Sequence, residues 1–570
     1  MRPVALVTLA LLSCSVMADG YKRQPGIDIT NYEFRLTLSD ETDRIEGLAE
    51  ISLRIVQSGV EGIWLDLKSK VGDKGMVVEA VSCSASPVTY THVDDRLLIK
   101  FAVEPSINQS MHVLVKYAGV PTGGLWIGDN KHGDRGFFSL NWPNRAREWL
   151  PMIDHPYDKA THEFIVTAPA HYQVVSGGLL VEETDNDDGT TTTHWKQSVP
   201  IASWLTALAV SRFSVRNFDD YEGVQLSTWV FPQDRAKGVA TFEVPVARAV
   251  RFFSESIGEF PYEKLANIQA AGFGGGTELA SAIFYGQDSV TDRAATGLVV
   301  HEIAHQWWGN SVTENDWNDV WLSEGFATYF TLLYIEQYEG REAFVEGLKR
   351  ARDRVYEMEA DNPNRPVVHA DLQDMSLVTS GIQYQKGAWV LHMLREKIGT
   401  EVFWRGIRKY YAKYRDKNAS TDDFRRVMEE VSGSNLERFF DKWLTRGVSP
   451  EIEIDWHYDD EKQIIVLEVK QIQDGPVHDL DLKIRLMNRS GQTRDHYIWA
   501  SPRRTYTFKL PSNGNEEIVA IDPETQTLLR WKIEIRDSSA IETKSNDRAV
   551  VLGIRALPSS PAVVGHVAPV

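Results

Sequence analysis

The sequence predicts a multidomain α+β protein with a β-rich N-terminal unit, a mostly helical middle unit and a small C-terminal β-sandwich. Three observations carry that prediction. Apolar residues alternate with period two over residues 21–212, recur at three and four spacing over most of 213–447, and alternate again over 448–535. At 570 residues the chain is too long for a single core. Its 42% hydrophobic and 25% charged residues are those of an ordinary globular protein, not of a disordered one.

The first residues, M-R-P-V-A-L-V-T-L-A-L-L-S-C-S-V-M-A, pair one basic residue with a short apolar run and a small-residue end. This reads as an export signal spanning 1–18, so a periplasmic, cell-envelope or secreted location is expected. Cleavage after Val16-Met17-Ala18 competes with a lipoprotein reading, in which Leu11-Leu12-Ser13-Cys14 would leave Cys14 lipidated. In both, Cys83 is the remaining cysteine of the folded part, and no intrachain disulfide is expected. No later stretch has the roughly eighteen consecutive apolar residues of a membrane-spanning helix. The formal charge of −19 argues against nucleic acid as a partner.

In the N-terminal unit the alternation is carried by Tyr32, Phe34, Leu36 and Leu38, by Ile51, Leu53 and Ile55, and by Val113, Val115 and Tyr117. Residues 137–159, dense in aromatics, prolines and charges, read as a packed connector. Helical spacing marks 246–258, 293–308, 319–338, 341–358, 386–398, 400–415 and 421–432. Between the first two of these lies A-G-F-G-G-G-T-E-L-A-S-A-I-F-Y at 271–285, whose glycines let backbone approach another group closely. Ile452, Ile454 and Trp456, then Leu480, Leu482, Ile484 and Leu486, restore the alternation and predict a sandwich ending near Ile535. Residues 536–570 have no sustained period and read as a flexible tail.

The chemistry centres on V-H-E-I-A-H-Q-W-W-G-N followed by W-L-S-E-G-F, between Val300 and Phe326. His301 and His305 are four residues apart, so on a helix both imidazoles leave one face, a turn apart. Two histidines with a carboxylate as third ligand and one open position make a catalytic zinc pattern, and Glu324 is the candidate carboxylate. Glu302 lies about 100° round the helix from His301, where it can lean over the open position as a general base. Zinc lowers the pKa of a water bound there and polarises a carbonyl, so peptide-bond hydrolysis is the natural reading.

With that motif in hand, the chain resembles the aminopeptidase N and leukotriene hydrolase family of zinc gluzincins, over roughly residues 25–535. The resemblance implies a saddle-like β domain, a thermolysin-like catalytic domain and a β-sandwich, with one Zn2+ held by His301, His305 and Glu324 and Glu302 as base. G-G-T-E-L at 275–279 is similar to the family's Gly-x-Met-Glu-Asn loop, which implies that Glu278 holds the free α-amine of a peptide and that Gly275 and Gly276 offer backbone to it. Y-Q-K-G from Tyr384 is similar to the segment whose tyrosine stabilises the oxyanion. Thr277 and Leu279 depart from the loop's usual Met and Asn, and Ser323 stands where Asn is commoner. Trp142 falls near the place where relatives carry a second amine-binding group, which leaves Asn141 or another residue to substitute. After the sandwich no large helical C-terminal domain like that of many relatives is expected. The implied activity is zinc-dependent removal of N-terminal residues from peptides. The alternatives are a zinc-containing peptide-binding protein without catalysis, an endopeptidase, and epoxide hydrolysis as in one branch of the family. Oligomeric state and first-residue preference are left open.

Overall fold

The computed structural model describes residues 19–535 apart from 364, 370, 373, 513 and 515. The export signal at 1–18, lipidation at Cys14 and the tail at 536–570 lie outside the described residues.

The alternating pattern of the first unit becomes a seven-stranded sheet. Its order is Leu179–Asp185, Thr190–Ala202, Lys159–Pro169, Ile27–Thr37, Ile45–Ile55, Ser110–Val120 and Gly75–Cys83. Period two puts Tyr32, Phe34 and Leu36 on the buried face, each at most 2% exposed, with Glu33 and Arg35 outward. Phe34 lies between Ala49 and Phe164 on the neighbouring strands, so a one-residue slip would turn the whole apolar row to water. A four-stranded sheet of Gln173–Ser176, Leu208–Ser211, Arg135–Ser139 and Leu125–Asp129 belongs to the same unit, and its buried residues join one core with Phe284 and Leu279 of the next. Cys83 is unpaired.

The middle unit opens with a five-stranded sheet that helical periodicity does not reveal. Its strands run in the order Ser214–Tyr221, Val224–Val230, Lys264–Ala270, Ala282–Gly286 and Gly276–Thr277. The three inner strands are parallel, and Lys264–Ala270 is buried along its full length. Buried polar residues hide that strand from pattern reading: Asn267 donates to Ser227 O at 3.2 Å and Gln269 to Asp234 at 2.8 Å.

Eight helices are described: α1 (Arg235–Ser256), α2 (Thr296–His305), α3 (Trp321–Glu339), α4 (Arg341–Asp361), α5 (Gly381–Ile398), α6 (Thr400–Tyr414), α7 (Thr421–Ser432) and α8 (Glu437–Leu444). Three depart from the sequence reading, and one of them, α5, begins five residues before 386. α1 begins eleven residues before 246 because Pro245 sits inside it rather than ending it. α8, at eight residues, is too short for its period to stand out. Local chemistry fixes other ends: Ser380 with Gln383, and Ser420 with Asp423, form capping boxes at the starts of α5 and α7.

The C-terminal unit is a two-sheet sandwich closed over Ile452, Ile454, Leu467, Leu482, Ile484 and Leu486. It is tied to the helices at Glu359, which accepts from Lys386 Nζ at 2.9 Å and from Ser449 N and Oγ at 2.9 and 2.8 Å. Among the described residues no helix is long and apolar enough to cross a membrane.

Candidate active site

α2 projects His301 and His305 from one face, with their Nε2 atoms 3.1 Å apart. The first turn of α3 brings Glu324 Oε2 to 3.5 Å from His301 Nε2 and 3.2 Å from His305 Nε2. A tetrahedral zinc with bonds of about 2.0–2.2 Å sets its ligand atoms roughly 3.3–3.6 Å apart, so these three atoms have the spacing of one zinc face. Glu324 Oε2 is buried and accepts no hydrogen bond, a position a cation completes. His305 Nδ1 lies 3.1 Å from the Trp308 carbonyl, which fixes the proton there and leaves Nε2 free to ligate. Ser323 Oγ is 3.0 Å from the same Nδ1. Gly309, at φ +97°, permits this packing, since a Cβ there would sit 2.1 Å from Ser323 Oγ. The site opens on the His301 side: that ring is 19% exposed and His305 1%.

Electrostatics also call for a cation. Glu278, Glu302 and His305 offer ligand atoms within 4.8 Å of one another, beside Glu324. Burial, and then the Glu278 carboxylate, hold the Glu302 carboxyl well above its usual range. Burial likewise pushes Glu278 up to about 7. For His305 burial works against charge, but the Glu278 and Glu324 carboxylates overcome it and raise the imidazole to about 10. For Glu324 burial is overcome by His305 and His301, and it falls to about 2. Burial disfavours charge on Glu278 and Glu302, and a divalent ion held beside them would restore their ionised forms. The donor set and its spacing therefore fit zinc.

Glu302 is 4% exposed and leans across Gly276. A Cβ at 276 would meet its Oε1 at 2.3 Å and its Cδ at 2.5 Å. The space above Gly276 is thus filled by the Glu302 carboxyl. Gly275 is different: its φ of +82° demands glycine, and nothing lies within 4 Å of the Cβ position. We expect Gly276→Ala to displace the Glu302 carboxylate and lower kcat by about tenfold or more. Zinc content should stay at one per chain, and a rate equal to wild type would show that the base is not seated on Gly276.

Glu278 is 7% exposed and is held through its carbonyl, which accepts from Gln306 Nε2 at 3.1 Å and Asn310 Nδ2 at 2.5 Å. Thr277 pairs with Phe284 in the short edge strand and is half-buried. Leu279 is fully buried among N-terminal core residues, so it faces away from the site. Tyr384, from α5, donates to Glu324 Oε1 at 2.7 Å, and its ring stacks on His301 at 5.9 Å between centroids. Asn141 is not available to a substrate amine. It donates to Thr206 O at 2.7 Å, accepts from Trp149 Nε1 at 2.9 Å, and is fully buried. Trp142 stands edge-on to Trp204 and Trp317, at 4.6 and 5.1 Å. Motif reading missed Gln306 and Asn310, whose signal was two amides in the otherwise apolar run after His305.

Two histidines and one glutamate brought together between two helices, with further glutamates and a tyrosine around them, define a candidate mononuclear zinc site. The chain matches the Peptidase family M1 domain over residues 258–443 and the Peptidase M1 N-terminal domain over 29–205, and it belongs to that family. It is 27% identical over 474 residues to a glutamyl aminopeptidase of Bitis rhinoceros, covering 77% of this chain and 48% of that protein. Against the human glutamyl aminopeptidase it is 30% identical over 331 residues, covering 55% and 34%. The chain thus spans about half the length or less of these curated relatives. Among solved structures, an M1 zinc metallopeptidase from Deinococcus radiodurans superposes with a TM-score of 0.65 at 25% identity, covering 75% of this chain and 95% of that one. Legionella pneumophila aminopeptidase A in complex with aspartic acid shares the fold at TM-score 0.77 and 17% identity, covering 91% and 61%.

Proposed function

We propose that this protein is a zinc-dependent aminopeptidase that removes the N-terminal residue from peptides. The observation that carries the proposal is the placing of the Glu278 carboxylate in one cluster with the Glu302 carboxylate and His305, all within 4.8 Å. A free α-ammonium paired with Glu278 lies a fixed distance from the metal ligands, so the first peptide bond is the one presented. His301, His305 and Glu324 would hold Zn2+, which supplies Lewis acidity and an activated water. Glu302 takes the proton of the attacking water and passes it to the leaving amine. Its buried position, seated against Gly276, raises its carboxyl well above the ordinary range, which favours the protonated form it must adopt to pass a proton on. The Tyr384 hydroxyl, now on Glu324, is placed to turn to the oxygen that becomes negative during attack.

The test is a panel of aminoacyl fluorogenic amides, each with a free and an acetylated α-amine, assayed with and without a zinc chelator. Glutamyl and aspartyl amides belong in it, because the matched relatives are named glutamyl aminopeptidases. We expect chelator-sensitive cleavage of the free-amine set alone. Glu278→Ala should narrow the free-to-acetylated rate ratio and cost far less rate than loss of Glu302. Equal cleavage of both sets would establish an endopeptidase. Zinc-loaded protein that cuts neither would establish the peptide-binding reading.

A further inference from the structure

The turn after α2, Gly309 to Thr313, is gripped from the other domain. Lys159, the first residue of an N-terminal-domain strand, places its Nζ 3.0 Å from Asn310 O, 2.7 Å from Ser311 O and 2.8 Å from Thr313 Oγ1. Three oxygens round one Nζ satisfy its donors and fix the turn in three directions, while burial pulls this amine down to about 7. Asn310 is fully buried, and its side-chain Nδ2 donates to the Glu278 carbonyl. The N-terminal domain therefore touches the amine-anchoring loop through two consecutive hydrogen-bonded links, Lys159 to Asn310 and Asn310 to Glu278. It also grips the loop from beyond Glu278. Ala280 N donates to Leu205 O at 3.1 Å, and Gly178 N donates to Ser281 Oγ at 2.7 Å. Ser281 takes φ +57°, an unfavourable conformation for a residue with a Cβ, and Gln306 Oε1 accepts its N–H at 2.9 Å. Glu278 sits between these two grips.

We propose that Lys159 is a positioning residue for the exopeptidase anchor: from the N-terminal domain it holds Asn310, and through Asn310 the backbone of Glu278, at the setting that selects a free amino terminus. The inference rests on the reading of Glu278 as the amine anchor. Lys159 itself touches neither metal ligands nor base, while Asn310 N donates to the His305 carbonyl at 3.1 Å, so zinc content is read beside the free-to-acetylated ratio to separate the two routes. A displacement of about 1 Å in such an anchor costs as much as a hundredfold in rate.

The test compares Lys159→Met, Lys159→Arg and Asn310→Ala with Glu278→Ala in the zinc-loaded full chain. Lys159→Met keeps the aliphatic stem and removes the three donors. We expect its KM for free-amine amides to rise about tenfold, with kcat within about threefold of wild type. The free-to-acetylated ratio should fall in step and zinc should stay at one per chain. Lys159→Arg, which restores charged donors, should recover part of the ratio. Asn310→Ala should reproduce the loss, and combining it with Lys159→Met should add little, because both break one chain of contacts. Should Lys159→Met fail to fold, Asn310→Ala decides alone. An unchanged ratio in Lys159→Met or Asn310→Ala, with a lowered ratio in Glu278→Ala, overturns the proposal and leaves the anchor reading standing. An unchanged ratio in Glu278→Ala overturns both. Parallel loss of zinc and kcat at constant ratio shows a merely structural lysine and also overturns it.

Discussion

Replacing Glu302 with Gln should lower kcat by about a thousandfold while one zinc per chain is retained. Gln keeps the shape that packs on Gly276 but cannot take a proton from the attacking water. Glu302 lies off the ligand face, and the spacing of His301, His305 and Glu324 owes nothing to it. Metal content and rate therefore separate in this variant. Initial rates on the best free-amine amide, with zinc measured by elemental analysis, check both halves. Retention of more than about a tenth of the wild-type rate would remove Glu302 from the role of base, since a lost general base costs at least about a hundredfold. Loss of zinc would instead make Glu302 a ligand.

Tyr384→Phe should cost about a hundredfold or more in kcat with little change in KM, as expected for a donor used only as charge develops. The structure sharpens this prediction, because the hydroxyl also braces Glu324 Oε1 at 2.7 Å. Were bracing its whole role, the variant would bind zinc about 10- to 100-fold more weakly and recover its rate when zinc is saturating. Titrating zinc into the variant decides between the two. A rate deficit that persists at saturation assigns Tyr384 to the reaction, and one that vanishes assigns it to the metal site.

Much of the metal face was legible in the sequence because helical geometry alone sets it. The four-residue spacing of His301 and His305 puts both rings on one face in any α-helix, and burial of α2 and α3 then selects the face that meets Glu324. The period-two runs likewise fixed the faces of the N-terminal strands, since a half-buried sheet tolerates one register only. The strand Lys264–Ala270 stayed hidden, because buried Asn267 and Gln269 find their partners across the sheet and not along the chain. The role of Gly276 stayed hidden for a similar reason: nothing near it in sequence reveals that Glu302, twenty-six residues on, fills the space a Cβ there would take.

By itself, then, the sequence determined the helix pair, the shared face of His301 and His305 and the order of β-rich, helical and β-rich units. Each of these follows from local periodicity or from spacing within one element. Only the tertiary structure decided that Asn141 is consumed by Thr206 and Trp149, that Leu279 turns into the core, and that Lys159 of the first domain reaches the turn holding Glu278. Those contacts join residues from 8 to 151 apart, made by side chains whose partners are chosen by packing and by the need to satisfy buried polar groups.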